Sequence, residues 1–309
     1  MTANSIKNND IPYKLERFAA FSLNVSVLRL DENDSEISGN KFYKLQPWLQ
    51  DALRTGRGLL SCGGAYSNHL HALAAAGKRY GIKTAGLVRG LEQDNLTYTM
   101  KDCCEMGMEL IAVSRQEYSN RYQAGFAEKY LRQFQKSIQQ PIQQPMIWVP
   151  EGGTETKAVE ACEQIGFEIN QLADNYAFDA LWIAVGSGGT LAGIARSLNP
   201  SIQIRAVPVM KNYLTVKQRL SGYLNQQQSA RITWVENGWY QGFGRFKQAD
   251  VKRLLELEKQ TGVPLDPVYT AKVMRRMIEA IQKNEFSDSR PLFLHTGGLQ
   301  GRRSISNDE

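Results

Sequence analysis

The chain has 309 residues, 42% of them hydrophobic and 22% charged, the balance of a globular protein with material for two cores. Its 37 basic and 31 acidic residues leave a formal charge of +6, but the signs are interspersed and no Lys/Arg block marks a nucleic-acid arm. No apolar run approaches the ~20 residues that cross a bilayer, and MTANSIKNND lacks the apolar centre of a signal peptide; the expectation is a cytoplasmic protein with neither membrane nor nucleic acid as partner.

Helical and strand signals alternate along the chain. Phe42, Leu45, Trp48, Leu49, Ala52 and Leu53 form a helical stripe that Gly56 closes. LLSC (59–62) reads as a short buried strand, followed by the loop GGAYSN and an alanine-rich helix over about 69–80. A strand over 83–88, a helix around 96–106, a strand over 108–113 and one long helix over about 115–135 come next. The Gln/Pro segment Gln139–Pro145 is the expected domain crossing.

Beyond it, strands are expected over 147–149, 180–186, 202–210, 232–235 and 291–295. Helices open near Thr154 and Thr190, lie around 214–224, and flank TGVPLDP. Short apolar strands between helices imply an α/β fold of open, twisted, mostly parallel sheets buried on both faces.

Five stretches carry candidate chemistry. VGSGGTLAG (185–193) follows an apolar strand and opens a helix, where inward N–H groups and the helix dipole suit a phosphate; Ser187 and Thr190 add hydroxyls. Its glycines, Gly186, Gly188, Gly189 and Gly193, do not fit G-x-G-x-x-G, and no lysine makes it a nucleotide P-loop, so the loop alone leaves the phosphate's owner open. CGGAYSNHLH (62–71) puts Ser67 and Asn68 at a helix start, either as plain caps or as a carboxylate cradle.

His69 and His71, at i,i+2, point to different sides of a helix, so no metal pair is expected. Cys62, Cys103, Cys104 and Cys162 form no C-x-x-C and read as thiols of a reducing compartment. DPVYTAK (266–272) places Tyr269 at a helix start, either as a half-buried core residue or as an acid, base or clamp. LHTGG (294–298) puts Thr296 at the carboxyl end of the last strand, where ligands of open α/β sheets collect. SGNKFYKL (38–45) sets Lys41 behind small turn-forming residues. Taken together, a phosphate loop without a nucleotide signature, a carboxylate cradle and such a lysine are what pyridoxal phosphate chemistry requires, the lysine forming a Schiff base that an amino acid displaces.

In this order and at these separations, Ser38-Gly39-Asn40-Lys41, Lys44-Leu45, GGAYSNH, SGGT, DPVY and HTGG resemble the tryptophan-synthase-β-like, or fold type II, pyridoxal phosphate enzymes, from about Leu15 to Arg303. The closest likeness is to the branch holding 1-aminocyclopropane-1-carboxylate (ACC) deaminase and D-cysteine desulfhydrase. The resemblance implies two domains with pyridoxal 5'-phosphate between them: a large, discontinuous one from 1–45 and 150–309, and a small one over 46–149. It implies a homodimer. Lys41 would carry the cofactor; Lys44, Ser187, Gly188, Gly189 and Thr190 would hold its phosphate. Asn68 would bond the ring oxygen, with Thr296 beside the ring. Ser67, Asn68, His69 and Tyr269 would meet the substrate, and Lys41, Ser67 and Tyr269 would carry the chemistry.

ACC deaminases have glutamate after the tyrosine of DPVY and read H-L-G-G in the last loop; this chain has Thr270 and Thr296 there, as the desulfhydrase-like members do. A carboxylate near the ring nitrogen favours the pyridinium, whereas a threonine hydroxyl leaves a neutral ring and a weaker electron sink. The expected reaction is α,β-elimination on a small amino acid, D-cysteine going to pyruvate, ammonia and sulfide. The alternatives are ACC ring opening to 2-oxobutyrate and ammonia, or a non-catalytic cofactor- or amino-acid-binding protein. The family's second tyrosine, in a G-Y-G turn, is Phe243 here.

Overall fold

The computed structural model describes residues 14–20, 23–92, 94–136, 145–240 and 248–304. The Gly242–Phe243–Gly244 turn and residues 139–144 of the Gln/Pro connector lie outside them. The chain opens with β1 (Lys14–Ala20) and β2 (Leu23–Arg29), an antiparallel pair in which Lys14 faces Arg29. This hairpin is not among the elements expected from the sequence. Val25 and Val27 bury one face of β2 and Leu28 the other, so its apolar pattern lacks the clean alternation of a half-exposed strand. Helix α1 (Asn40–Thr55) follows; Leu45, Trp48, Leu49 and Ala52 of its expected stripe are buried, while Leu53 is exposed.

Residues 45–153 form one compact unit. Its elements are β3 (Gly58–Gly64), α2 (Asn68–Tyr80), β4 (Thr84–Arg89), α3 (Tyr98–Glu105), β5 (Glu109–Val113), α4 (Arg115–Ser119), α5 (Phe126–Lys136) and β6 (Met146–Val149). The strands pair in parallel in the order β5-β4-β3-β6. Leu60, Cys62, Ala85, Leu87, Tyr118, Phe126 and Phe134 build its core.

The single helix expected over 115–135 is in fact α4 and α5. The break runs from Asn120, the C-cap of α4, to Gly125 at φ +87°. Glu151, just past β6, anchors the end of α4 at this break: its carboxylate accepts hydrogen bonds from Tyr118, Arg121 and Tyr122.

The other unit combines residues 11–44 with those from 154 onward. It adds α6 (Thr156–Tyr176), β7 (Ala180–Val185), α7 (Gly189–Ser197), β8 (Gln203–Pro208), α8 (Tyr213–Leu220), α9 (Gln226–Ala230), β9 (Ile232–Trp234), α10 (Gln248–Thr261), α11 (Thr270–Gln282) and β10 (Pro291–His295). Its six-stranded sheet runs β1-β2-β10-β7-β8-β9, parallel except for β1. The last strand of the chain therefore sits inside the sheet, between β2 and β7.

Helices cover both faces, through one cluster around Ile183, Ile194 and Cys162 and another around Trp182, Met274 and Met277. Helices α6 and α7 nearly touch: a Cβ on Gly193 would lie 2.4 Å from the Val159 carbonyl oxygen and 2.5 Å from the Cys162 Cβ. The fold is α/β, with two mostly parallel sheets covered by helices. Among the described residues, no helix is long and apolar enough to cross a membrane.

Candidate active site

Lys41 is held by the turn before it. Gly39 has φ +75°, and a Cβ there would lie 2.1 Å from the Thr296 carbonyl oxygen, so only glycine fits. The Asn33 side chain brackets the Gly39 peptide, accepting from its N–H at 3.0 Å and donating to its oxygen at 3.2 Å. The Asn40 N–H donates to the Thr296 oxygen at 3.2 Å, which ties SGNK to the carboxyl end of β10.

From the first turn of α1, the Lys41 Nζ donates to Asn40 Oδ1 at 2.8 Å. The Asn40 amide donates in turn to Thr190 Oγ1, also at 2.8 Å. Lys41 is half-buried rather than a solvated surface charge. Burial, followed by the nearby Lys44 ammonium, pushes it down to about 7, against the opposing pull of Cys162 and Asp266.

The phosphate-type loop leaves β7 at Gly186 and enters α7 at Gly189. Gly188 stands at the N-cap with φ +92° and brings no side chain to the free N–H groups of the first turn. Those groups, with the partial positive charge of the helix start, face an anion well. Lys44, 2% exposed, adds a cation that burial makes easier to deprotonate. The Cys162 thiol beside it is pushed up by burial and stays neutral, its Thr190 contact and both lysines acting the other way. Tyr269 borders this loop: a Cβ on Gly186 would meet its ring at 3.1 Å. An uncapped helix start, a buried lysine and a second lysine neutralised near pH 7 fit a phosphate-bearing aldehyde.

Around DPVY, Asp266 Oδ1 accepts the N–H groups of Val268 (3.0 Å) and Tyr269 (2.5 Å). The Thr270 hydroxyl is closed on the same turn, accepting the Asp266 N–H at 2.6 Å and donating to the Asp266 oxygen at 3.3 Å. Below Thr296, His295 Nε2 donates to the Pro264 oxygen at 2.8 Å, and its Nδ1 lies 2.8 Å from Asp31. Asp31 also takes both arms of the buried Arg29, at 2.9 and 2.6 Å.

In the unit of residues 45–153, Ser67 caps α2, its Oγ accepting the Leu70 N–H at 3.2 Å. Asn68 is the first residue of that helix. His69 is buried, and its Nε2 lies 2.8 Å from Ser61 Oγ. Because Ser61 donates its one proton to the Val149 oxygen, His69 is the donor in that pair. His69 thus ties α2 to β3 and β6.

The structure therefore brings Lys41, Lys44, Ser187, Gly188, Gly189, Thr190, Tyr269 and Thr296 together in one unit, and places Ser67, Asn68 and His69 in the other. Asn40, Asp266 and Cys162 join the first group without having been singled out. Asn40 and Asp266 lie inside the quoted motifs; nothing local distinguishes Cys162.

A family model described as pyridoxal-phosphate dependent enzyme matches residues 9–297. The chain belongs to this family. Its cofactor is accordingly pyridoxal phosphate. A Thermotoga maritima protein with a provisional 1-aminocyclopropane-1-carboxylate deaminase name is 29% identical over 309 residues, covering 96% of each chain. A D-cysteine desulfhydrase of Yersinia pestis is also 29% identical, over 303 residues, covering 92% of this chain and 90% of that one. The crystal structure of an ACC deaminase homologue superposes with a TM-score of 0.79 at 22% identity, covering 94% of this chain and 91% of that one; it has the same fold.

Proposed function

We propose that this pyridoxal-phosphate enzyme catalyses α,β-elimination on a small amino acid, D-cysteine going to pyruvate, ammonia and sulfide. The observation that carries the reading is Thr270. It is fully buried, with its hydroxyl closed on the Asp266 main chain, so no carboxylate stands at that position to hold a proton on the cofactor ring. When bound, the cofactor supplies an electron sink for the substrate's α-carbon, and a neutral ring suits a substrate with a good leaving group such as thiolate.

The residues then divide the work. Lys44 and the start of α7 hold the phosphate. The amine of Lys41, neutral in part at neutral pH, takes the α-proton, as an ordinary lysine at ~10.4 could not. Ser67, Asn68 and the start of α2 take the substrate carboxylate, and Tyr269 steers the leaving group. His69, engaged with Ser61, acts by holding α2 in place.

ACC ring opening is the second reading, favoured by the name of the Thermotoga relative. A substrate screen on the cofactor-loaded protein, reading keto acid and sulfide together, separates the two. Sulfide with pyruvate from D-cysteine is the expected result; 2-oxobutyrate from ACC without sulfide from D-cysteine overturns it. The homodimer implied by the resemblance belongs to the same proposal, and light scattering tests it.

A further inference from the structure

Asp266 has no part in the function proposed above, yet it is 1% exposed and only half satisfied. Its Oδ1 closes the turn before α11, while Oδ2 is buried with no hydrogen-bond partner. A buried carboxylate oxygen without a donor is costly unless a cation stands near it. The turn that carries it sits on the carboxyl ends of β10 and β7, through the Pro264 oxygen on His295 and the Tyr269 ring on Gly186. Those same strand ends carry Lys41, through Asn40 on Thr296 and Thr190.

The titratable groups coupled electrostatically to Asp266 are His295 from β10, Lys272 from α11 and Lys41 from α1. Those coupled to Lys41 are Lys44 from α1, Cys162 from α6 and Asp266. Burial drives Asp266 up to about 6, with the Tyr269 N–H and His295 pulling it back, so it is mostly ionised at neutral pH.

We propose that Asp266 is a positioning residue for Lys41: its unpartnered oxygen is the buried anion that holds the Lys41 ammonium whenever that amine takes up a proton. The inference rests on Lys41 being the amine of the proposed reaction. There the α-carbon–hydrogen bond breaks, the proton passes to the Lys41 nitrogen, and the electron pair stays on the substrate side. The positive charge so formed is opposed by Lys44 and met by Asp266.

The test is competitive acetic anhydride labelling of lysines across pH on the full-length protein freed of cofactor, wild type against Asp266→Asn. Asparagine keeps the Oδ1 acceptor for Val268 and Tyr269, and replaces the charged Oδ2 with a neutral amide nitrogen. The Lys41 midpoint is expected to fall by about one pH unit, since an opposite charge has been lost. A shift below about 0.3 unit, any upward shift, or a fall confined to Lys272 overturns the proposal. If a thermal melt shows Asp266→Asn unfolded, Asp266→Ser, which keeps an acceptor for the Tyr269 N–H, replaces it under the same criteria.

Reductive trapping of the loaded protein and peptide mapping keep the two readings apart. Cofactor mapped to another lysine sinks the proposed function. Cofactor on Lys41 with an unmoved midpoint sinks only the inference about Asp266.

Discussion

Replacing Gly39 by alanine should cost the protein a large part of its stability and its hold on the cofactor. At φ +75°, a residue with a Cβ pays about 1–2 kcal/mol for the left-handed conformation alone. The new Cβ would also stand 2.1 Å from the Thr296 oxygen and 2.8 Å from the Gly297 Cα, both main chain, so neither can swing aside. Relief requires SGNK to lift off the end of β10, which breaks the Asn40–Thr296 bond and loosens the two Asn33 bonds, each worth about 0.5–1.5 kcal/mol. Together these give about 3–5 kcal/mol, against a total of about 5–15 kcal/mol for an ordinary domain.

Gly56→Ala is the control. Its φ is +64°, but nothing lies within 4 Å of a Cβ there, so only the conformational part, about 1–2 kcal/mol, is expected. Urea unfolding of both variants, with pyridoxal phosphate titrated into each, measures the difference. If Gly39→Ala costs no more than Gly56→Ala and binds cofactor as the wild type does, the close approach of SGNK to HTGG is not what places Lys41.

Lys41→Ala should abolish turnover and the visible absorbance of lysine-bound cofactor, read on the purified protein; retention of both would move the cofactor lysine elsewhere. With Lys41 at about 7, about half of its amines are neutral at pH 7, against roughly one in 2,500 for an ordinary lysine, so cofactor uptake should fall tenfold for each pH unit below about 6. The folded value is depressed, so this group's contribution to stability rises with pH from about 7 up to its ordinary value.

Asp31 lies at about 2: burial would raise it, but its bonds to Arg29 and His295 prevail. Its stabilisation is complete above the ordinary carboxylate value and lost as pH falls towards 2, and Asp31→Asn should remove that part of the acid transition in melts taken from pH 5 downward. At neutral pH the same change should cost about 3 kcal/mol by leaving the buried Arg29 short of a partner. Thr190→Val leaves the Asn40 amide without its acceptor and should weaken pyridoxal phosphate binding about tenfold or more in a spectroscopic titration, with the fold intact by circular dichroism.

Most strands and helices could be read from the chain because their signals are local. The buried runs of β3, β4, β7 and β10, and the glycine and serine punctuation before α2 and α7, carry their meaning within a few residues. The same holds for the chemistry of SGNK, SGGT, DPVY and HTGG, since backbone shape and donor type belong to the residues themselves. What local signals miss is whatever a distant partner decides. The β1–β2 hairpin joins the sheet because β10, some 260 residues later, pairs with β2. Where the helix expected over 115–135 divides into α4 and α5, the end of α4 is anchored by Glu151, 30 residues beyond Arg121, which accepts from Tyr118, Arg121 and Tyr122.

The environment of Lys41 is of the second kind as well. Its motif announces a lysine in a tight turn, but its charge state depends on burial, on Lys44, and on a thiol and a carboxylate brought in from α6 and the start of α11. Residue identity and spacing set which groups are available. Solvent exclusion and the approach of opposite charges exist only once the chain is folded, and they decide which of those groups hold a proton.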